Sequence, residues 1–409
     1  MSLPRYEDAL RIILSTVTPV SREPQRADAA LGRVLAAPLT VPHDVPDGPR
    51  SAMDGYALGS CDRLEFDVVG EVAAGAPTLP PLAPHQAAAV MTGAVVPPHT
   101  AAVVRLEDTR IENDRLTMST EIRPDDLVNL TGSEARAGDP LVRAGRRLDA
   151  TTHAVVMCAG HATLAVHRQP RVGLLITGDE VCTADDSPRE GAVFDTNTYI
   201  LQGICGALGC RVIDVCRVAD DEAATRRHLA ELDDACDVVV TSGGVSTGRH
   251  DHVGHILRAD THNLLLAGTA IKPGRPMHLA RLDSGTPVFA MPGYPSSLLT
   301  NAFLYLVPAL KQLAGRTDTA TNWFDAVLDT PLRHRPGRQD LSRVALRVVD
   351  GCWHAASAGS QTTSHFLAAA HAQGLARLPL TTPTATDGDA TELPAGATVP
   401  VLHFALELS

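Results

Sequence analysis

Glycine and hydroxyl residues follow the apolar run DVVV in a pattern that could bind an anion. The stretch is TSGGVSTG, residues 241–248 of the 409-residue chain. Gly243 and Gly244 permit positive φ and a close approach to the backbone, while Ser242 and Ser246 offer hydroxyl groups. Successive N–H groups that lead into a helix can bind phosphate. A ligand-free turn into a helix is the alternative, and neither a P-loop nor a G-x-G-x-x-G pattern is present.

A second loop of similar character is MPGYPSS, residues 291–297. Gly293 can form the turn, the proline at 295 suits the first position of a helix, and Ser297 can direct its hydroxyl group at a phosphate. The alternative is a Pro-Gly turn that only starts a helix. Two such loops on one sheet edge favour an anion site.

Two cations lie close together in AIKPGRPMH, residues 270–278. Lys272 and Arg275 are three residues apart, and the neighbouring prolines stiffen the segment. The chain as a whole is acidic, with 35 Lys and Arg against 47 Asp and Glu and a net charge of −12. A rigid pair of cations in such a chain indicates a clamp for an anion, and the alternative is a solvated surface turn.

Three carboxylates are predicted at or near the same edge: Glu180 in TGDE, Asp220 and Asp251. Carboxylates beside a phosphate site favour Mg²⁺, which binds one or two acids together with phosphate oxygens. Each acid alone is also explained as a helix cap or a surface residue. The nearby H-x-H-x-x-H pattern lacks a second cluster, which disfavours zinc.

Alternating strands and helices position these residues. From about residue 169 the chain reads as β-strand and α-helix in turn, which predicts a mostly parallel sheet. Ligands of such sheets bind at the carboxyl ends of the strands. The loops TGDE, TSGGVSTG and MPGYP each follow a predicted strand. We therefore expect them at one edge of the sheet.

The segments on either side of this region have a different pattern of apolar, proline and glycine residues. Apolar spacing predicts helices over residues 4–17, 28–35 and 149–162, and the last helix is expected to pack on the first two. Between residues 40 and 138, short β-type runs alternate with Pro and Gly clusters, and the last ~95 residues return to that β texture. The sequence thus predicts several domains.

Composition limits the class of function. Hydrophobic residues make up 44% and charged residues 20%, as in soluble globular proteins, and the acidic balance disfavours nucleic acid and membrane partners. Eight scattered cysteines without a C-x-x-C pair indicate reduced thiols. The first residues do not resemble a signal peptide, and no apolar run is long enough for a membrane span. We expect a cytoplasmic protein.

Taken together, the motifs resemble the molybdopterin molybdenumtransferase family, which includes the C-terminal domain of gephyrin. They appear in the family's order and cover essentially the whole chain: SAMDGYA, MTGAVVPP with AAVVRLED, LLITGDEV, FDTNTYIL, DVVVTSGGVSTG, AIKPGRP and MPGYPSS. The resemblance implies a multidomain α/β fold, with a three-layer molybdopterin-binding sheet domain at its centre. Its implied parts are a helical elongated domain (1–40 plus 140–168), a β-rich domain (41–139), the molybdopterin-binding domain (169–315) and a C-terminal β-barrel (316–409).

The resemblance also implies a reaction and partners. The reaction is Mg²⁺-dependent insertion of molybdate into adenylylated molybdopterin, with release of AMP. Such proteins form homodimers with the site between the sheet domain of one subunit and the β-rich domain of the other. The resemblance also implies contacts with other proteins of molybdenum cofactor biosynthesis.

Functional residues follow from the matching motifs. Asp54 and Thr92 would face the cleft from the far subunit, while Asp251 and Lys272 would act on the sheet side. Glu180, Asp220 and Asp251 would hold the metal. The implied residues for molybdopterin and phosphate are Ser242, Gly243, Gly244, Ser246, Arg275, Gly293 and Ser297.

Four departures from the family pattern leave an alternative open. Tyr294 replaces the usual Asn of PGNP, Gly268 stands where a second cation is common, and Arg249 stands where an acid is common. Residues 133–135, Ser-Glu-Ala, replace a GED motif. A non-catalytic or altered-specificity paralogue that binds molybdopterin or a protein partner is therefore the second hypothesis. A Rossmann oxidoreductase is disfavoured because its glycine fingerprint is missing.

Overall fold

The computed structural model describes residues 3–187, 189–245, 251–259, 263–380 and 391–408. The predicted site residue Ser246 and the departure Arg249 lie outside this part of the chain. Among the described residues, no helix is both long and apolar enough to cross a membrane.

The N-terminal segment contributes one helix and a small sheet. Its elements are α1 (Tyr6–Thr16), β1 (Arg22–Arg26), β2 (Val34–Leu35) and β3 (Leu39–Thr40). The predicted helix over residues 28–35 is wrong: a single 3-10 turn is followed by β2. Gly32 adopts a φ of +78° there, and its N–H donates to the Leu148 carbonyl, so the chain turns into a strand instead of continuing a helix.

The β-rich region that follows is one six-stranded sheet with short additional pairs. Its strands are β4 (Arg50–Ser51), β5 (Gly55–Leu58), β6 (Glu65–Val72), β7 (Gln86–Val90), β8 (Ala102–Arg105), β9 (Thr109–Glu112), β10 (Arg115–Met118) and β11 (Val128–Asn129). The sheet order is β8-β5-β7-β6-β10-β9, and β4 pairs with β11. The chain then returns to the first segment through β12 (Pro140–Val142), α2 (Ala150–Cys158) and β13 (Thr163–His167).

Strand β13 lies between β1 and β2, so the two distant stretches of chain form one unit. The expected packing of the 149–162 helix on the first helix is wrong. Ala9 and Ile13 of α1 belong to the core of the central sheet, and α1 contacts the helix Val307–Leu313. Helix α2 instead buries Val156 in a separate small core with Leu35 and Leu164. The sequence pattern locates α1 and α2 but does not specify which apolar faces meet.

The central α/β region has the predicted alternation. Its elements are β14 (Arg171–Thr177), β15 (Val181–Cys182), β16 (Val193–Phe194), α3 (Asn197–Ala207), β17 (Arg211–Val218), α4 (Glu222–Ala235), β18 (Val238–Ser242), α5 (His252–Ala259), β19 (Leu264–Ala267), β20 (Ile271–Lys272), β21 (His278–Arg281), β22 (Pro287–Met291), α6 (Pro295–Asn301) and α7 (Val307–Leu313). A π-helical turn, Ala302–Leu306, joins α6 to α7.

The main sheet has the order β17-β14-β18-β22-β21-β19, parallel from β17 to β22 and antiparallel beyond. Alternate residues of the buried strands face opposite layers. Val238 and Val240 pack with α3 and α7, whereas Val239 packs with α4 and α5. Helices therefore cover both faces, and the predicted three-layer α/β domain is confirmed.

The C-terminal region is a small barrel. Its elements are β23 (Trp323–Leu328), β24 (Leu332–His334), β25 (Gln339–Val349), β26 (Cys352–Ser357), β27 (Gly374–Arg377), β28 (Thr391–Leu393), β29 (Thr398–His403) and α8 (Phe404–Leu408). Strands β25, β26, β23, β29 and β27 pair in that order, and β27 pairs again with β25, which closes the barrel. The predicted C-terminal β-barrel is therefore confirmed.

Two buried contacts fasten the barrel to the α/β domain. Lys311 of α7 and Glu407 of α8 form an ion pair at 3.1 Å, with each side chain only 1% exposed. Arg343 of β25 donates to Ser296 Oγ of α6 and to the Ser360 carbonyl. The Arg343 contacts hold the barrel loop at Ser360 against the start of α6, at the edge of the sheet where the candidate site lies.

Candidate functional site

One large cavity lies at the carboxyl ends of β14, β18 and β22. Its volume is about 1460 Å³, and both the α/β domain and the barrel line it. The predicted residues that line it are Glu180, Asp220, Ser242, Gly243, Gly244, Asp251, Lys272, Arg275, Gly293 and Ser297. The structure thus brings together all the described residues that were predicted for the sheet side.

The glycine loop after β18 forms a cradle that a side chain would fill. Gly243 and Gly244 adopt φ of +94° and +64°. A Cβ on Gly243 would lie 2.7 Å from the Thr177 carbonyl oxygen, and one on Gly293 would lie 3.5 Å from the Gly243 Cα. The two predicted loops therefore meet backbone to backbone, and the close approach restricts the residue type at Gly243.

We expect Gly243→Ala to destabilise the protein by about 1–3 kcal/mol, because the new Cβ combines an unfavourable φ with a clash against Thr177. Denaturant unfolding followed by circular dichroism measures the loss. Gly75→Ala is the matched control, since Gly75 has a φ of +77° but, apart from its chain neighbours, no atom of the described residues lies within 4 Å of a new Cβ. An equal loss in both variants would show that φ strain alone explains the effect.

The two cations are held at the boundary with the barrel. Strand β20 pairs with β25 through Ile271 and Lys272, so the Lys272 backbone is fixed by the barrel. Asn301 Nδ2 donates to the Gly274 carbonyl at 2.9 Å and anchors the turn between the cations. Lys272 and Arg275 are both exposed, and neither forms an ion pair with a carboxylate within the described part of the chain. Their charge is available to an anion in the cavity.

The carboxylates Glu180, Asp220 and Asp251 line the cavity as well. The Asp220 N–H donates to Asp179 Oδ1 at 3.0 Å, which fixes the loop after β17 next to TGDE. Within the described ranges, however, no three His, Cys, Asp or Glu side chains are close enough together to hold a metal ion. The predicted set is therefore not a preassembled cage. It fits a cation such as Mg²⁺ that takes one or two carboxylates and completes its shell with phosphate and water oxygens.

Asp54 and Thr92 form a pair that is separate from this cavity. The Thr92 N–H and hydroxyl group donate to Asp54 Oδ1 at 2.7 and 2.8 Å. These hydrogen bonds, led by the one from the backbone N–H, lower the pKa of the Asp54 carboxyl. Thr92 lines a second hollow of about 650 Å³ with Asp44 and Glu134. Within a single chain, the pair does not line the large cavity.

Replacing Thr92 tests this pKa. We expect Thr92→Val to raise the pKa of Asp54 towards its ordinary value without reaching it, because the backbone N–H remains as a donor. A carboxylate with a lowered folded pKa stabilises the fold above its unfolded pKa, and this contribution disappears as the pH falls through the folded pKa. In Thr92→Val this contribution is smaller, and its loss is complete at a higher pH because the folded pKa lies closer to the unfolded one. Titration of the carboxyl ¹³C resonance checks the shift, and Thr92→Ser, which keeps the hydroxyl donor, should leave it unchanged.

Several cavity residues were missed by the sequence analysis. Asn197 at the start of α3 donates through Nδ2 to Ser242 Oγ and to the Gly293 carbonyl, both at 2.7 Å. It thereby joins the two predicted loops. The motif FDTNTYIL, which contains it, could have indicated such a role. Arg338, Thr363 and Ser364 reach the cavity from the barrel, and no local sequence signal identifies them.

Comparison with known proteins defines the family. Residues 4–160 match the MoeA N-terminal region (domain I and II), and residues 173–312 match the probable molybdopterin binding domain. A molybdopterin molybdenumtransferase from a Nostoc species is 30% identical over 394 residues, which are 92% of this chain and 90% of that protein. The chain belongs to the molybdopterin molybdenumtransferase family. It is an enzyme of molybdenum cofactor biosynthesis.

Further comparisons agree with this assignment. The molybdopterin molybdenumtransferase of Haemophilus influenzae is 29% identical over 330 residues, covering 80% of this chain and 81% of the relative. The crystal structure of the molybdopterin biosynthesis MoeA protein from Pyrococcus horikosii has a TM-score of 0.82 and 26% identity. The structural match covers 98% of this chain and 99% of the Pyrococcus horikosii protein. The predicted family and overall fold are confirmed.

The departures from the molybdenumtransferase pattern have different positions. Gly268 has a φ of +89° and does not line the cavity, so backbone geometry accounts for this glycine. Glu134, from the altered GED motif, lies with Thr92 in the second hollow. Tyr294 stands on the cavity wall at the N-cap of α6. Of these three, only Tyr294 changes the lining of the cavity.

Proposed function

We propose that this enzyme inserts molybdate into adenylylated molybdopterin in a Mg²⁺-dependent reaction that releases AMP. The observation that carries this proposal is the single cavity lined by a glycine cradle, two fixed cations and three carboxylates. Those groups match the three charged parts of the reactants: the phosphates, the dianionic molybdate and the metal at the pyrophosphate link.

The residues take distinct parts in this scheme. The backbone N–H of Gly244 orients the phosphate of the pterin substrate, while the Gly243 N–H donates to the Met291 carbonyl at 3.0 Å and fixes the loop. Lys272 with Arg275 holds molybdate. Mg²⁺, when bound, neutralises phosphate oxygens at the link that is hydrolysed. Asp251 and Glu180, which line the cavity, would hold that ion, and Ser364 of the barrel lines the cavity as well. The dithiolene thiols replace oxygens of molybdate, which leave as water with protons from the thiols and solvent, and a second water molecule hydrolyses the pyrophosphate link so that AMP leaves.

The second copy of the chain completes the proposed site. Asp54 and Thr92 lie away from the large cavity, yet exposed apolar side chains adjoin them: Met53, Met91 and Leu106. Exposed apolar residues clustered around a hydrogen-bonded carboxylate are typical of a surface that another protein covers. A symmetric homodimer in which this surface faces the partner's cavity would bring the pair to the reactants.

Release of AMP tests the reaction. Purified protein is mixed with adenylylated molybdopterin, and AMP is followed by chromatography with and without molybdate and Mg²⁺. The proposal requires release that depends on both ions and stops with a chelator. Absence of AMP, under conditions where the Haemophilus influenzae relative produces it, would contradict the reaction.

Mixed dimers test the shared site. Asp54→Asn and Lys272→Met are each expected to inactivate homodimers. The two variants are unfolded together and refolded, so that half of the dimers contain one copy of each. In each mixed dimer, one of the two sites combines an intact Lys272 with an intact Asp54 from the other subunit. About a quarter of the wild-type activity should therefore return. No recovery in refolded mixtures, with the wild type recovering fully, would show that both residues act within one subunit.

A further inference from the structure

The cavity contains aromatic side chains that its charged chemistry does not use. Aromatic residues make up only 3% of the chain. Phe194, Tyr294 and Phe366 nevertheless line this one cavity. The phosphates, the oxyanion and the metal are already matched by amides, cations and carboxylates, so these rings require another explanation.

Phe194 and Tyr294 are exposed in the isolated chain. Phe194 is 58% exposed and Tyr294 is 60% exposed, whereas Phe66, Phe289 and Tyr305 are buried. Neither exposed ring stacks on another ring within the part of the chain that the structure describes. Leaving large apolar rings in water is unfavourable, which favours an occupant that covers them.

The segments that carry the two rings are fastened to each other. The hydrogen bond from Asn197 Nδ2 to the Gly293 carbonyl joins the residue that precedes Tyr294 to the segment that contains Phe194. The Asp195 carboxylate accepts from the Thr198 N–H and from Arg217 Nε, which holds Phe194 from the other side. Rings mounted on fixed backbone lose little conformational freedom when a ligand stacks on them.

We propose that Phe194 and Tyr294 form a ring-binding subsite, in which the planar nitrogen heterocycle of the substrate stacks on their side chains. This inference rests on the proposed function and names the part of the substrate that the charged residues leave unbound. The substrate has two such heterocycles, the pterin and the adenine. The pterin is the one whose phosphate we assign to the glycine cradle beside Tyr294. Tyr294, in place of the family's usual Asn, adds stacking surface instead of closing the cavity.

The test uses two probes without phosphate or metal: neopterin and adenosine. Their binding to the full-length protein is measured by calorimetry for the wild type and for Phe194→Ala, Tyr294→Asn and Tyr294→Phe. Loss of one stacking ring should weaken neopterin binding about 5- to 150-fold, and Tyr294→Phe, which keeps the ring, should bind like the wild type. Tyr199→Asn is the matched control, because Tyr199 is also 60% exposed but does not line the cavity.

Each outcome decides the inference. Weaker neopterin binding in Phe194→Ala and Tyr294→Asn alone supports a pterin subsite, and weaker adenosine binding in those variants supports the same subsite with adenine as its ring. Unchanged binding of both probes, an equal loss in Tyr199→Asn, or no binding by the wild type overturns the subsite. The subsite is also overturned if the ring variants change the dimerisation constant but bind both probes like the wild type.

Measuring AMP release in parallel separates this inference from the proposed function. A wild-type protein that binds neopterin through the two rings but releases no AMP would refute the reaction and leave the subsite standing. A wild-type protein that releases AMP, with ring variants that bind both probes normally, would refute the subsite alone. Binding of inorganic phosphate should be the same in the wild type and the ring variants, because the cations and amides remain.

Discussion

Replacing Lys272 with Met should reduce the rate of AMP release by about 10²–10³-fold, the cost of removing one preorganised charge-stabilising group. The side chain lies at the cavity, is exposed and has no carboxylate partner among the described residues, so its charge is free to stabilise molybdate. The loss should appear in single-turnover rates at saturating pterin substrate. The melting temperature should stay at the wild-type value because the ammonium group is not buried.

Two further variants serve as controls for Lys272→Met. Arg333→Met removes an exposed cation of the barrel that forms a surface ion pair with Glu392, and we expect it to leave the rate unchanged. Lys272→Arg restores the charge with a different shape, so it should recover part of the rate. A Lys272→Met enzyme that works within about threefold of the wild type would remove the cation clamp from the mechanism.

Replacing Glu407 with Gln should lower the free energy of unfolding by about 3–5 kcal/mol, because it leaves the buried Lys311 ammonium without its counter-ion. Glu407 Oε2 contacts Lys311 Nζ at 3.1 Å, and Oε1 accepts from the Asn322 N–H at 2.6 Å. The carboxylate therefore joins α7, α8 and the first residues of the barrel. Denaturant unfolding, followed by tryptophan fluorescence for the barrel and circular dichroism for the whole chain, measures the loss.

The controls for Glu407 distinguish charge from shape. Glu112→Gln changes an exposed glutamate paired with Arg110 and should not shift the transition. The double variant Lys311→Met with Glu407→Leu removes both charges, so it should regain most of the stability. If the double variant were no more stable than Glu407→Gln, the destabilisation would come from packing and not from the unpaired charge.

The use of lysine in this chain connects the two predictions. The sequence contains two lysines, at positions 272 and 311, and its other basic side chains are arginine or histidine. One lysine lies exposed at the cavity, and the other is buried against Glu407 at the joint between the domains. The ammonium group is a compact point charge, whereas the guanidinium group is planar. Both positions suit the compact group.

The part of the site that the sequence predicts well is the part built from local loops. Gly243 and Gly244 are recognisable because positive φ and the close approach of neighbouring atoms restrict the residue type, and Gly293 is recognisable from the Pro-Gly turn that precedes a helix. Strand and helix alternation then puts their loops at one sheet edge, and the structure places them in one cavity. Pattern and geometry agree here because each loop is determined by a few neighbouring residues.

Other parts depend on contacts between distant segments. Arg338 and Ser364 reach the cavity because the barrel closes and β25 pairs with β20, and neither residue stands in a motif that predicts this. The apolar face of α1 looks the same in sequence whether it packs on α2 or on α7. Tyr294 was recognised as a departure, but its exposure on the cavity wall follows only from the fold around it.

Anomalous scattering from molybdenum would test the central claim most directly. Crystals of the protein are soaked in molybdate, and diffraction is recorded on both sides of the molybdenum absorption edge. The account predicts a difference peak inside the large cavity, in contact with Lys272 and Arg275, that disappears in Lys272→Met crystals. A peak at another surface, with none in the cavity at the same molybdate concentration, would contradict it.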